Sequence, residues 1–160
     1  APPAPPVVVP AAFPDEFGVR VYEAEGGAPF VAAIELVSPA NKDRDSHRRA
    51  LANKCAGYLA QGIAVIVIDV VTSRSGNVHA DVLRLLGRTA DTGLPDGTDL
   101  YAVAYRPVVR AGAEVIEVWP AALAVGSVLP TLPLALNAEL CLPIDLEATY
   151  TAACQRRRLG

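Results

Sequence analysis

The stretch Val31–Lys42, VAAIELVSPANK, is an apolar β-type run carrying one carboxylate, Glu35, and ending on Ser38-Pro39, a strand stop. Read with period two, Val31, Ala33 and Val37 share Glu35's face, while Phe30, Ala32, Ile34 and Leu36 fill the opposite one. A strand apolar on both faces belongs inside a sheet. Burying an ionised carboxylate costs several kcal/mol unless it is paired or bound to a cation, against a domain stability of only about 5–15 kcal/mol. Glu35 therefore needs a partner.

Upstream, VRVYEAE (residues 19–25) alternates as a half-buried strand and GGAP supplies turn chemistry, so residues 19–37 read as a β-hairpin. Downstream, DRDSHRRALANKCAGYLAQG reads as a helix of about four turns. Asp43, Asp45 and Ser46 are its N-cap candidates, its apolar positions run through Leu51, Cys55, Tyr58 and Leu59, and Gly62 closes it. IAVIVIDVV (residues 63–71) is β-branched on both faces and reads as a central strand reached by a crossover; its one charge is Asp69. Asn77–Leu86 suits a short helix, and Tyr101–Arg106 with Glu114–Trp119 suits a second hairpin around Ala111-Gly112. Four prolines between Pro120 and Pro143 predict an extended arm on the core rather than regular structure, and Asp145 is placed to cap a last helix ending in Arg156, Arg157 and Arg158.

These elements define one α/β domain with a mixed central sheet and flanking helices over residues 19–160, preceded by a Pro/Ala-rich arm or linker over residues 1–18. A chain of 160 residues is long enough for one core and short for two. No apolar run approaches the ~20 residues of a membrane helix, and APPAPPVVVPAAFP lacks the basic and apolar regions of a signal peptide, so the expectation is a cytoplasmic protein without membrane contact. No methionine occurs, including at position 1, so the sequence is expected to be the C-terminal part of a longer chain. Cys55, Cys141 and Cys154 show neither CxxC spacing nor a histidine at zinc-ligand distance, which argues against zinc and disulfides.

Two apolar strands each hold one acid, Glu35 and Asp69, and the helix between them carries His47, Lys54 and Tyr58 at helical spacings. Packed on the sheet, that helix brings Lys54 toward the acids. Glu35, Asp69 and Lys54 then neutralise one another, or the acids hold a divalent cation through oxygen ligands. Each has a structural alternative: Glu35 as half of an architectural ion pair, Asp69 as a strand-end acid accepting loop N–H groups, Lys54 as a lysine reaching from the core edge to water. His47 and His79 both read as solvated surface. Arg44, Arg48 and Arg49, with Lys42 and Lys54, give residues 42–54 a local excess of positive charge in a chain of net charge −3, which suits either a phosphate backbone or a face turned to water.

IELVSPANK, KCAGYLAQG, VIVIDVV and LPTLPLALNAELCLPIDLEATYTAACQRRR resemble the uncharacterised bacterial family called domain of unknown function four-zero-five-eight, over most of the chain. The first part also resembles Uma-type proteins of the restriction-endonuclease-like, PD-(D/E)XK, superfamily. There a strand of hydrophobic-Glu-hydrophobic-hydrophobic-Ser-Pro form precedes a helix with Lys-x-x-x-Tyr, a Gly and a strand ending in Asp. The resemblance implies a restriction-endonuclease-like core and a nuclease-like, Mg²⁺- or Mn²⁺-dependent phosphodiesterase site. Glu35 takes the place of the metal-binding acid, Lys54 that of a lysine moved onto the helix, and Tyr58 braces it. The position two after Glu35 is Val37, so the literal motif is absent. The first acid of the relatives lies in a Pro-Asp element; here Pro14-Asp15 stands in a different context, Glu23 and Glu25 are its substitutes, and the cation is expected on Glu35 with Asp69 or Glu23. The competing expectation is a non-catalytic module that keeps the fold and binds a partner protein.

Overall fold

The computed structural model describes residues 17–24, 26–27, 29–87 and 92–157. The expected arm falls mainly on residues 1–16, outside the described residues, as do Pro14-Asp15, Glu25 and Arg158. The chain enters the sheet at Phe17, two residues earlier than expected.

Strands β1 (Phe17–Tyr22), β2 (Phe30–Leu36), β3 (Ala64–Asp69), β4 (Tyr101–Arg110) and β5 (Ala113–Ala122) form one mixed sheet in sequence order. The β2–β3 pair is parallel and the other three pairs are antiparallel. Both doubly apolar strands are interior, β2 between β1 and β3 and β3 between β2 and β4, as their composition requires. Between β4 and β5 the loop is only Ala111-Gly112, with φ of 50° and 79°. Two positive φ values make the tight turn whose twist matches an antiparallel ribbon.

The expected four-turn helix is two helices, α1 (Pro39–Asp43) and α2 (Asp45–Ala60). None of the three expected caps starts the segment. Ser38 does, accepting the Asn41 N–H while the Asn41 side chain accepts from the Ser38 N–H, and Pro39 fills the first helical position. Arg44 in an extended conformation then breaks the run. The short helix α3 (Val78–Leu85) starts on Asn77, whose side chain accepts the Ala80 N–H.

The prolines between residues 120 and 143 do not keep the chain irregular. Strands β6 (Thr131–Ala135) and β7 (Cys141–Asp145) pair antiparallel with Pro133 opposite Pro143. Two residues without N–H groups fit a ladder when they share a pair whose amides point away from each other, so the hairpin loses no hydrogen bond. Asp145 caps α4 (Leu146–Arg157) as expected, through the Ala148 N–H at 2.9 Å.

The sheet is covered on both faces. Val65, Val67, Tyr101, Val103 and Tyr105 meet Leu51, Cys55 and Leu59 of α2 and Val78 and Val82 of α3. On the other face, Ala32, Ala64, Ala102 and Ala104 admit Leu132 and Leu134 of β6 and Leu146 of α4 at close range. Among the described residues no helix is long and apolar enough to cross a membrane.

Candidate functional site: two buried ion pairs on the helical face

Glu35 stands opposite Val67 in the parallel ladder, so it shares the face of Val65 and Val67 that the helices cover. Its side chain is 4% exposed. Lys54, projecting from α2, spans the carboxylate with its Nζ 3.1 Å from both Oε1 and Oε2. The Lys54 ammonium stands over the Tyr58 ring, 6.0 Å from its centroid, and Tyr58 meets Phe30 edge-on at 5.0 Å. The resemblance-derived trio Glu35, Lys54 and Tyr58 is thus contiguous through the Lys54 ammonium.

Asp69 does not join them. Its neighbour is Lys42, at 3.0 Å, and neither side chain has any exposure. Lys42 also donates to Val71 O at 2.9 Å and Asp99 O at 2.7 Å, so its three ammonium protons have three acceptors. Asp69 Oδ1 accepts the Val71 N–H as well, at 3.1 Å. Burial pushes the Asp69 carboxyl above its ordinary range against the opposing pull of Lys42 and the Val71 N–H. Among the described residues its Oδ2 has no partner at full hydrogen-bond geometry, and the Tyr101 hydroxyl lies close enough to it to pull the carboxyl's proton affinity down. That hydroxyl accepts the Val78 and His79 N–H groups at the start of α3, at 3.0 and 3.3 Å. The tyrosine therefore ties β4 to α3.

His79, expected on the surface, is fully buried. One ring nitrogen, Nδ1, meets the Tyr105 hydroxyl and the other, Nε2, meets Thr92 O at 2.9 Å. A backbone carbonyl only accepts, so Nε2 carries the proton and Nδ1 accepts from Tyr105. Burial lowers the proton affinity of the ring, keeping it neutral. The signal was present in the sequence: Val82, Leu83 and Leu86 follow His79 at i+3, i+4 and i+7, so the helix period puts the histidine on the apolar face. His47 is half-buried.

Glu23 is exposed beyond the end of β1, its N–H bonded to Pro29 O at 3.0 Å. The register pairs Gly18, not Glu23, with Glu35. Glu23 lies five positions along the chain from Gly18, roughly 16 Å at the rise of a strand. Among the described residues no three His, Cys, Asp or Glu side chains converge as a metal-holding group. Glu35 alone offers carboxylate oxygens at the Lys54 position, while Asp69 is closed by Lys42. Glu35, Asp69 and Glu23 are thus not gathered into one Mg²⁺- or Mn²⁺-holding group among the described residues.

The basic segment is also largely spent within the fold. Arg48 pairs with Asp81 through Nε and with Asp45 through Nη1, both at 2.8 Å, and Arg84 closes the other oxygen of Asp81. Burial acts to raise the Asp81 carboxyl, but the two guanidiniums outweigh it and hold it below the ordinary range. With Lys42 and Lys54 paired, only Arg44 and Arg49 of the five basic residues are exposed. Comparison of the chain with protein-family models, curated proteins and solved structures returns no match.

Proposed function

We propose that this chain is a non-catalytic scaffold module on a restriction-endonuclease-like core, working through its surfaces rather than through the Glu35–Lys54 pair. One observation carries the reading: each buried acid of the helical face is closed by its own cation, Glu35 by Lys54, Asp69 by Lys42 and Asp81 by Arg48. Each pair also joins a helix to something else. Lys54 fastens α2 to β2, Lys42 fastens α1 to the end of β3, and Arg48 fastens α2 to α3. Such pairs fix helix register at a cost in desolvation, a recognised structural use of buried charge. The order strand, antiparallel strand, crossover helix, parallel strand supports the restriction-endonuclease-like core. All three cysteines are free thiols, which supports a reducing, cytoplasmic setting.

A second reading, a nuclease-like phosphodiesterase acting on nucleic acid with Mg²⁺ or Mn²⁺, is favoured by the contiguity of Glu35, Lys54 and Tyr58 and by the 22% exposure of Lys54, which lets the ammonium meet a phosphate. It requires a second carboxylate to join Glu35 on the cation, and Asp69, two residues beyond the Val67 that faces Glu35, is held by Lys42.

Glu35→Gln separates the two, because the amide keeps the volume and loses the charge. Under the scaffold reading it removes the charge that Lys54 meets on β2 and lowers stability, by less than the about 3–5 kcal/mol of a fully buried pair because Lys54 is 22% exposed, and the wild type neither cleaves DNA nor gains thermal stability from Mg²⁺ or Mn²⁺. Unchanged stability of the metal-free variant, together with a metal response present in the wild type and lost in the variant, overturns it.

A further inference from the structure

Helix α4 buries almost nothing. Of its residues only Leu146 is buried, against β6, and from Ala148 to Ala153 every position is exposed. A 12-residue helix is about the shortest that persists alone in water, even in alanine-rich sequence. The Asp145 cap, the buried Leu146 and the Glu147 carboxylate that accepts the Leu129 N–H at 2.9 Å anchor only its first turn, and the turns beyond stand in solvent.

Its surface is ordered along one line. Asp145, Thr149, Ala152 and Arg156 follow one another at spacings of four, three and four residues, which places them on one face of a helix. All four are exposed. The bond from the Thr149 hydroxyl to Asp145 O, at 2.7 Å, shows the first two stacked on successive turns. The stripe is acidic at its N-terminal end, basic at its C-terminal end and small between.

We infer that α4 is a self-association surface, pairing antiparallel with α4 of a second copy through the stripe Asp145, Thr149, Ala152 and Arg156. A two-fold axis between positions 150 and 151 sets Asp145 of each copy against Arg156 of the other, and Thr149 against Ala152. The arrangement is self-complementary, as a closed dimer requires. Small side chains in the middle let the helix axes approach to about 8–10 Å, within reach of both end pairs. Antiparallel helix dipoles add to the attraction. A parallel arrangement instead sets acid against acid and arginine against arginine, so charge selects the direction. The inference is independent of the reading of Glu35, since none of the four residues touches that site.

The test is sedimentation equilibrium on the 160-residue chain over a wide range of protein concentration, at low and high salt. Wild type should show a monomer–dimer equilibrium weakened by salt. Arg156→Glu should raise the dimer dissociation constant at least about tenfold, corresponding to roughly 1.4 kcal/mol. Arg156→Lys should retain most of the association, with the far-ultraviolet spectrum and melting of dilute monomer unchanged in both variants. A chain monomeric at every concentration overturns the inference. So does a dimer indifferent to Arg156→Glu, or one that binds a different surface by cross-linking.

Discussion

Gly18 stands directly across the antiparallel ladder from Glu35, and a Cβ at Gly18 would lie 3.1 Å from the Glu35 Oε2 that Lys54 contacts. The missing side chain is the space the carboxylate uses. Gly18→Ala should displace the carboxylate by a few tenths of an ångström, and Gly18→Val should cost about 1–3 kcal/mol through overpacking. In a Glu35→Ala background the part of that penalty owed to the carboxylate should vanish, while the part set by the Ile34 carbonyl, also 3.1 Å from the Cβ, stays. A double-mutant cycle by chemical denaturation measures the coupling, and additive losses would show that Gly18 acts on the strand rather than on the ion pair.

Lys42 and Asp69 form the drier of the two strand-acid pairs, so breaking it should cost more than breaking Glu35–Lys54. Lys42→Met strands a buried carboxylate and two carbonyls, with an expected loss of about 3–5 kcal/mol. Adding Asp69→Asn should recover part of it, because the amide carries no charge and keeps an acceptor for the Val71 N–H. Urea midpoints of the single and double variants decide. A double variant less stable than Lys42→Met alone would mean that Asp69 contributes more than its pairing.

Arg48, spent on Asp81 and Asp45, should matter to stability and not to any duplex binding. Arg48→Ala is expected to lower the melting temperature, while Arg44→Ala with Arg49→Ala leaves it nearly unchanged. If the chain binds DNA at low salt, the Arg44/Arg49 double variant should weaken binding and flatten its salt dependence. Filter binding across a salt series, beside melting curves, reads both.

His79 makes stability acid-sensitive. Its folded-state proton affinity lies below the ordinary value near 6.5, so the unfolded chain takes up a proton first as pH falls. The stabilisation is complete above about pH 6.5 and is lost progressively below it, toward the lower folded-state value. His79→Gln retains a donor for Thr92 O and does not titrate, so its melting temperature should change less between pH 7 and pH 5 than that of the wild type. Asp81 has the same sense at lower pH: its stabilisation is present above the ordinary carboxylate value of 3.8 and is lost as pH falls through and below it. Parallel slopes for wild type and His79→Gln would assign the acid sensitivity elsewhere.

Period and turn chemistry determined a good part of this protein from sequence. Apolar residues on both faces of Val31–Val37 and Ile63–Val71 required interior strands, Ala111-Gly112 required a tight turn, Asp145 announced a helix start, and the need of Glu35 for a cation was readable because a buried charge is costly. Local signals also misled where neighbours outweighed them. The prolines of β6 and β7 oppose each other, so a residue that discourages strands cost no hydrogen bond, a fact visible only once the two segments are paired. Which lysine serves which acid was a tertiary decision. Lys42 lies next to last in a five-residue helix with no periodicity to assign its face, and only the meeting of β3, α1 and the loop at Asp99 surrounds its ammonium with three oxygens. The separation of Glu23 from Glu35 was likewise set by hairpin register, which alternation alone leaves open and the Gly18–Glu35 pair settles.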